Sequence, residues 1–246
     1  MQSDYAQRYF ELERNHWWFQ IRERIYAQAL QRHLSASQNL RVLNVGAAAG
    51  RSSEVLAAWG EVTSVEYDPE LCQFLQQHGH NALSASMTDL PFPDDSFDLV
   101  CALDVIEHVE DHQQGARELL RCCRSGGHVL LTVPAFPSLW GPHDDINHHF
   151  RRYTAATLTP LFQPPAQRLY SSYFNSLLFL PIWIYRNATR HLPRSSGGDF
   201  DALPRTSPWN ALLARIFAIE VQLLQYCRFP LGVSLLQIYR KPLDNP

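Results

Sequence analysis

The sequence has 246 residues, of which 46% are hydrophobic and 18% charged, a composition typical of a folded globular chain. This length can bury the core of one α/β domain with additional elements. The formal net charge of −3 provides no basic surplus, so we predict no nucleic-acid partner and favour a small-molecule substrate.

Short β-rich runs alternate with helical patterns from Leu40 to Val133, which predicts a parallel sheet flanked by helices. The predicted strands are Leu40–Val45, Val62–Tyr67, Ala82–Ala85, Phe97–Leu103, Gly127–Val133, Arg168–Tyr173 and Ser234–Arg240. The predicted helices are Ala6–Arg32, Arg51–Trp59, Pro69–Gln77, Asp111–Cys123, Ala155–Phe162, Asn175 to about Arg190, and Asn210–Gln225. We predict a long loop over Pro134–Tyr153 and a linker over His191–Pro208.

The cysteines, the N-terminus and the most apolar segment bear on localisation. The five cysteines show neither a zinc spacing nor a disulfide framework, which predicts a reducing compartment. Asp4, Glu11 and Glu13 precede any apolar run, so we expect no signal peptide. Segment 177–185 is shorter than the ~20 residues of a membrane-spanning helix. We expect a cytoplasmic protein, and peripheral contact with the inner face of the membrane through 177–185 stays open.

A small-residue turn follows the first predicted strand, between Val45 and Arg51. Small residues let the backbone approach a ligand, and the following helix N-terminus offers free N–H groups and a positive dipole end. A carboxylate or phosphate of a ligand suits such a place. A tight turn that only packs the helix on the strand would show the same pattern.

Two acidic residues at the ends of later strands favour a nucleoside as the ligand. Glu66 ends the second predicted strand, where a carboxylate can accept hydrogen bonds from both ribose hydroxyls. Asp68, before Pro69, fits better as the acid at a helix start. Asp89 follows the third strand and could bind an adenine amino group, although a turn role explains it equally well.

These motifs, in this order and spacing, resemble the class I S-adenosylmethionine (SAM) methyltransferases, in the broad group that includes the quinone-biosynthesis enzymes. They are Val42–Gly50, Val65–Pro69, Asp89–Val100, Asp104–Val109 and Gly126–His128. The resemblance covers about Leu40 to Pro134 and implies SAM as cofactor and S-adenosylhomocysteine as product. The cofactor-binding residues that it implies are Asn44, Gly46, Ala47, Gly50, Glu66, Tyr67, Thr88, Asp89, Leu103 and His108.

The same resemblance defines the expected architecture. We expect an α/β fold with a doubly wound, mostly parallel, seven-stranded Rossmann-like sheet. An N-terminal helical lid is expected over residues 1–38 and a SAM-binding core over 39–174. An apolar helical insertion over 175–228 then precedes the last strand and tail, 229–246.

Two positions of the turn depart from the family pattern. Asn44 stands where the family usually has aspartate, which removes a charge near the cofactor's ammonium group. Ala48 stands where it usually has glycine, and a positive φ at this alanine would cost on the order of 1 kcal/mol. Weaker SAM binding is the expectation. The alternative function is a catalytically impaired scaffold or binding module, whereas a nicotinamide-dependent oxidoreductase would leave Asp89 without a role.

A narrower resemblance, to a bacterial subgroup of these methyltransferases, extends over the flanking segments. It is carried by His16–Phe19, Arg22, Arg24, Pro134–Trp140, His143–Asp145, His149, Arg151–Thr154, Ser172–Phe179 and Pro230–Leu235. Methyl transfer to a hydroxyl needs a positioned nucleophile and a base, and histidine suits the second task. We therefore predict His143 and His149 as catalytic residues; a loop pinned by His–Asp and Arg–Asp hydrogen bonds is the alternative.

The substrate site is predicted on the same flanks. Arg151 and Arg152 could bind a carboxylate or phosphate, or could be surface charges that cap the loop, and Trp18 and Tyr153 complete the predicted set. Asp104, Glu107 and His108 resemble a metal-binding arrangement of ubiquinone-type O-methyltransferases. The same residues are common across the wider family without metal, so we predict none.

Two apolar helices, at 177–185 and 212–224, carry more hydrophobic surface than simple cover of a sheet requires. They could cap a substrate, rest on a membrane, form a dimer contact or pair in the core. A monomer and a homodimer both stay open. Taken together, the sequence predicts a SAM-dependent methyltransferase of a small lipophilic substrate, with transfer to oxygen favoured.

Overall fold

A computed structural model describes residues 3–34, 39–189 and 208–243. The predicted linker His191–Pro208 lies, apart from its last residue, outside these ranges. The strands are β1 (Leu40–Val45), β2 (Gly60–Glu66), β3 (Asn81–Ser84), β4 (Phe97–Leu103), β5 (Cys123–Pro134), β6 (Gln167–Phe174) and β7 (Ser234–Arg240). The helices are α1 (Ser3–Asn15), α2 (Trp17–His33), α3 (Arg51–Leu56), α4 (Pro69–Gln77), α5 (His112–Cys122), α6 (Pro142–Ile146), α7 (Ala155–Leu158), α8 (Phe179–Thr189) and α9 (Pro208–Leu223). Short 3-10 helices cover Ile106–His108, Pro137–Leu139 and Thr159–Leu161.

The seven strands form one sheet in the order β3-β2-β1-β4-β5-β7-β6. The first five strands run parallel, and β7 runs antiparallel to both β5 and β6. This confirms the doubly wound, mostly parallel α/β fold. The chain leaves β1 toward β2 on one side and returns to β4 on the other, so the strand order reverses at β1. Such a reversal opens a crevice beyond the carboxyl ends of the strands, where folds of this type bind ligands.

Alternate side chains of the strands enter two hydrophobic cores on opposite faces of the sheet. Leu43 and Val45 of β1 pack with the core that includes α5, whereas Val42 packs with the core beneath α2, α3 and α9. Because both faces are covered, these strands are apolar almost throughout. The sheet is thereby fixed as a rigid platform for the crevice at its carboxyl edge.

The predicted N-terminal helix is two helices, separated at His16. The backbone of His16 is extended (φ −84°, ψ 133°), and its imidazole accepts a hydrogen bond from the Trp18 N–H at 3.2 Å, which caps α2. As a result α1 folds back over α3 and α4: Arg14 pairs with Glu54, and the rings of Phe10 and Phe74 meet edge to face at 5.6 Å. Apolar periodicity continues across the break, which is why the sequence did not show it.

The predicted loop Pro134–Tyr153 also contains ordered turns, the 3-10 helix Pro137–Leu139 and the short α6. Neither is long enough to produce a periodic pattern. Throughout the described ranges, every helix is too short or too polar to cross a membrane.

Candidate active site

A cavity of about 550 Å³ lies at the carboxyl edge of the sheet. Gly46, Ala48 and Leu103 form its wall at the sheet, and α1 and α2 cover it. Residues of the segment between β5 and β6, and of α8, form the opposite side. The cavity therefore occupies the crevice that the strand order creates.

The turn after β1 has the backbone conformation that its small residues allow. Gly46, Ala48 and Gly50 have φ values of 72°, 48° and 97°. A Cβ atom on Gly46 would lie 2.3 Å from Val105 Cγ2, so only glycine fits there. Ala48 adopts its positive φ despite its Cβ atom, and its N–H donates to Glu66 Oε2 at 2.8 Å. That hydrogen bond helps to hold the alanine in a conformation that favours glycine.

Glu66, the last residue of β2, links that strand to the turn after β1. Its buried carboxylate accepts from the backbone N–H of Ala48 and, at 3.2 Å, from that of Asp68. Burial raises the pKa of Glu66 above its ordinary value, and these backbone donors oppose that shift. The carboxylate thus lies at the carboxyl edge of β2 with acceptor capacity left for further donors.

The predicted adenine-binding residues follow the neighbouring strand at the same edge. Glu66 pairs in register with Ser84 of β3, and Thr88 and Asp89 come shortly after β3 ends. Thr88 is half-buried and its hydroxyl shares a hydrogen bond of 2.8 Å with Ser86, whereas Asp89 is exposed. Tyr67, also predicted to bind the cofactor, is 76% exposed.

Asn44 lies behind the turn rather than on the cavity wall. It is fully buried, and its side-chain NH₂ group donates to the hydroxyls of Ser52 and Ser53 at 2.8 Å each. These bonds tie β1 to α3, and an aspartate could accept from the same two hydroxyls. Ala47 is likewise fully buried outside the cavity lining. The amide at position 44 therefore preserves the strand-to-helix connection.

An ion pair between Arg22 of α2 and Asp104, the residue after β4, lies at the cavity wall, and the sequence did not predict it. Arg22 Nη1 donates to Asp104 Oδ2 at 2.6 Å, and the Thr132 hydroxyl donates to the same oxygen at 3.0 Å. The Arg22 guanidinium also lies 4.6 Å from the centre of the Trp18 ring. Arginine and aspartate on distant segments carry no pairing signal in a single sequence.

Glu13 of α1 lines the cavity with its side chain buried. Burial raises the pKa of Glu13 from 4.5 to about 7, with Arg22 acting against this shift. Because the pKa is higher in the folded state, ionisation of Glu13 destabilises the fold as pH rises from about 4.5 to 7. The full penalty is about 3 kcal/mol.

We therefore expect Glu13→Gln to raise the free energy of unfolding by up to about 3 kcal/mol near pH 8 and to have little effect near pH 4.5. Urea denaturation at both pH values measures this. Glu11→Gln, at a half-buried position of the same helix, is the control and should change stability little. An equal gain for Glu13→Gln at both pH values would contradict the expectation.

Three histidines line the far side of the cavity: His108, His143 and His149. The ring centres of His108 and His149 are 4.5 Å apart, and those of His143 and His149 are 6.0 Å apart. Burial, followed by the nearby His149, lowers the pKa of His108 to about 4, so this imidazole is neutral at pH 7. The structure thus brings both predicted catalytic histidines together at the cavity.

Asp144 anchors this histidine segment. The carboxylate is fully buried and accepts from the His149 ring, Arg152 Nε and the Gly141 N–H, each at 2.8 Å. Burial raises the pKa of Asp144, but His149 and Arg152 together hold it well below its ordinary value. The loop is thus pinned by His–Asp and Arg–Asp hydrogen bonds, as the alternative prediction had it.

Of the predicted substrate residues, Trp18 and Arg152 line the cavity, and the Arg152 guanidinium is bound by Asp144 and, at 3.1 Å, by the Ala135 carbonyl. The structure places the other two outside the cavity lining. Arg151 donates to the carbonyls of Val109 and Glu110, and Tyr153 is buried in the core with its hydroxyl 2.8 Å from His112 Nδ1. Those contacts account for both side chains without a ligand.

The remaining wall of the cavity is apolar. The residues that form it are Trp17, Trp18 and Phe19 of α2, Leu178 just before α8, Pro181, Ile182 and Tyr185 of α8, and Leu213 of α9. Tyr185 is also 66% exposed, so it stands at the rim. The cavity therefore combines a polar end at the sheet with an apolar end at α8.

Comparison with known proteins agrees with this geometry. Residues 43–131 match the family model of the methyltransferase domain. The chain is 30% identical over 128 residues to an uncharacterized methyltransferase of Mycolicibacterium gilvum, which is 50% of each chain. It is also 30% identical over 108 residues to 2-methyl-6-phytyl-1,4-hydroquinone methyltransferase 1 of Oryza sativa subsp. japonica, covering 41% of this chain and 33% of the rice protein.

A solved SAM-dependent methyltransferase from Thermotoga maritima superposes with a TM-score of 0.59 at 15% identity, over 97% of this chain and 96% of the other. Residues 43–131 are therefore a methyltransferase domain, and the described residues have the fold of the class I SAM-dependent methyltransferases. The chain spans about half the length of the first curated relatives that it matches.

The cofactor of this domain is SAM, and residues at the carboxyl ends of β1 and β2 fit it, although Glu66 lies outside the cavity lining. The turn around Gly46 gives close backbone approach, and the Glu66 carboxylate is an acceptor of the kind that ribose hydroxyls require. Met87, next to Thr88 in the sequence, is buried in the hydrophobic core on the α5 side of the sheet.

Proposed function

We propose that the protein transfers the methyl group of SAM to an oxygen atom of a small lipophilic molecule. The observation that carries this proposal is the cavity itself, which runs from the cofactor-binding turn past three histidines to an apolar wall. Polar groups in it suit an acceptor hydroxyl, and the apolar wall suits the rest of a lipophilic acceptor. The rice relative, named for a phytyl-substituted hydroquinone, supports an acceptor of this class.

Different residues of the chain would bind the parts of the cofactor. Glu66 would hold the ribose, Thr88 and Asp89 would flank the adenine, and Leu103 would lie beside the methionine part. Bound SAM supplies an electrophilic methyl group on a sulfonium. The acceptor oxygen forms the new bond to that carbon, the bond from carbon to sulfur breaks, and S-adenosylhomocysteine is released. The protein mainly aligns the two reactants and excludes water.

The acceptor hydroxyl must also lose its proton, and we propose His143 and His149 as the groups that receive it. Asp144 binds Nδ1 of His149, so Nε2 of that ring is the nitrogen left for the cavity. His108 is the poorer base because its pKa is only about 4. Support for the two proposed bases is thus geometric, and it comes from one short segment around α6.

The exposed face of α8 supports contact with a membrane surface. Leu180, Trp183 and Ile184 are 60%, 38% and 53% exposed, while Ile182 of the same helix lines the cavity. Tryptophan and tyrosine favour the interface between water and lipid. A lipophilic acceptor could then enter the cavity past Tyr185 directly from that surface.

Binding and turnover test the proposed activity. We expect the protein to bind SAM and S-adenosylhomocysteine in isothermal titration calorimetry. With methyl-labelled SAM and a bacterial lipid extract, label should appear in a lipid product. Failure to bind either compound would refute the proposal. Binding without any labelled product would instead support the impaired scaffold.

Substituting the histidines tests the proton acceptors. We expect His143→Gln and His149→Gln each to lower kcat at least about 100-fold, since a positioned base contributes roughly 10²- to 10⁴-fold. Glutamine at 149 keeps an N–H donor for Asp144. His148→Asn is the matched control, because His148 is exposed and has a φ of 55° that asparagine tolerates. Unchanged kcat in both glutamine variants would show that neither histidine takes the proton.

A further inference from the structure

Glu107 is a buried acid at the cavity wall. The 3-10 helix after β4 places it at the cavity wall with 0% exposure, and neither carboxyl oxygen has a hydrogen-bond partner among the described residues. Buried carboxylates in folded proteins are normally hydrogen-bonded, ion-paired or bound to metal. Within the described parts of the chain, this carboxyl group therefore lacks the partner that a buried acid normally has.

Two imidazoles lie within reach of the same point. Ligand atoms of Glu107, His108 and His149 all lie within 4.8 Å of one another. The first two residues come from the segment after β4 and the third from the segment after α6. One carboxylate oxygen and two imidazole nitrogens form a donor set that suits a divalent transition-metal ion such as zinc.

Both imidazoles are oriented by oxygen or backbone contacts on their other side. Nδ1 of His149 is 2.8 Å from Asp144 Oδ1, and the His108 ring hydrogen-bonds the backbone of Asn147. Histidine ligands of metals are characteristically held in this way, which fixes the ring and the nitrogen that faces the ion.

Asp104 is not a member of this group. Its carboxylate accepts from Arg22 and from the Thr132 hydroxyl, so it is already neutralised within the fold. The sequence pattern of Asp104, Glu107 and His108 therefore does not describe the cluster that the structure forms. His149, distant in sequence, takes the third place.

We propose that Glu107, His108 and His149 bind one divalent transition-metal ion at the cavity wall. All three residues line the cavity, so the ion's remaining coordination positions would be accessible from it. There it would bind the acceptor oxygen and favour loss of its proton. This role rests on the proposed methyl transfer, whereas metal binding itself does not. When the ion is bound, His149 is one of its ligands, and of the two proposed bases only His143 receives the proton.

Cobalt(II) is the probe that tests the site, because its visible absorption reports protein ligands directly. The full chain is treated with chelator, dialysed and titrated with Co²⁺, followed by absorption and by calorimetry. We expect one equivalent to bind and Zn²⁺ to displace it. Glu107→Gln and His149→Gln should each weaken binding at least tenfold, with circular dichroism confirming the fold. His148→Asn should bind Co²⁺ like the unchanged protein.

Absence of a bound equivalent would overturn the proposal, and so would unchanged affinity in both Glu107→Gln and His149→Gln. Titration of the same samples with S-adenosylhomocysteine separates this inference from the proposed function. Binding of S-adenosylhomocysteine without Co²⁺ overturns the metal site only. Binding of Co²⁺ without S-adenosylhomocysteine supports the metal site and overturns the proposed methyl transfer.

Discussion

Glu66→Ala is expected to weaken SAM binding about 100-fold or more. In the proposed complex the carboxylate accepts two ribose hydroxyls, and each hydrogen bond to a charged group contributes about 1.5–3 kcal/mol. Losing both costs about 3 kcal/mol at least, and every 1.4 kcal/mol is tenfold in affinity. The variant also removes the acceptor for the Ala48 N–H, which loosens the turn. Calorimetric titration with S-adenosylhomocysteine measures the effect.

Glu61→Ala is the matched control for this experiment. Glu61 lies on the same strand, β2, but is exposed near its beginning, away from the cavity. We expect the affinity of that variant to equal that of the unchanged protein. Equal affinity of the Glu66→Ala variant would show that the ribose is held elsewhere.

Asp144→Asn is expected to lower the free energy of unfolding by about 3–5 kcal/mol, the cost of breaking a buried ion pair. Arg152 would stay buried and would lose the carboxylate that accepts from its Nε. Because the folded state lowers the pKa of Asp144, its stabilisation is present above the ordinary value of 3.8 and is lost as pH falls below it. The difference from the unchanged protein should therefore shrink in acid. Urea denaturation near neutral pH and below about pH 4 measures both effects.

Asp145→Asn is the control for Asp144. Asp145 accepts a neutral donor, Trp140 Nε1, at 3.0 Å, and an amide oxygen can accept the same bond. We expect that substitution to cost about 1 kcal/mol or less. If both variants lost the same small amount, Asp144 would not be the anchor of its segment.

Much of the sheet could be predicted because its determinants are local. Runs of β-branched and apolar residues mark the strands, and the alternation with helices implies parallel pairing and a carboxyl edge. The turn around Gly46 and the acid at Glu66 are recognisable for the same reason, since their spacing along the chain follows from the strand–helix repeat. The positive φ at Ala48 was also expected from the glycine that usually stands there.

The contacts that complete the site depend on long-range packing and could not be predicted in this way. Arg22 meets Asp104 only because the chain breaks at His16 and sets the direction of α2. Of the adjacent Arg151 and Arg152, only Arg152 lines the cavity, where Asp144 binds it, whereas Arg151 is half-buried against the carbonyls of Val109 and Glu110. Because both side chains carry the same charge, the sequence predicted the same substrate-binding role for both.

The two ends of the cavity are built from separate parts of the chain, and this separation has an evolutionary consequence. The histidine segment is fixed by the Asp144 network, whereas the apolar wall comes largely from α2 and α8, with Ile182 facing inward. Substitutions of the apolar residue Ile182 can change cavity shape, provided that Arg186 of the same helix keeps its ion pair with Asp144 at 3.8 Å. Relatives could therefore diverge in the molecules that they accept while they keep one chemistry.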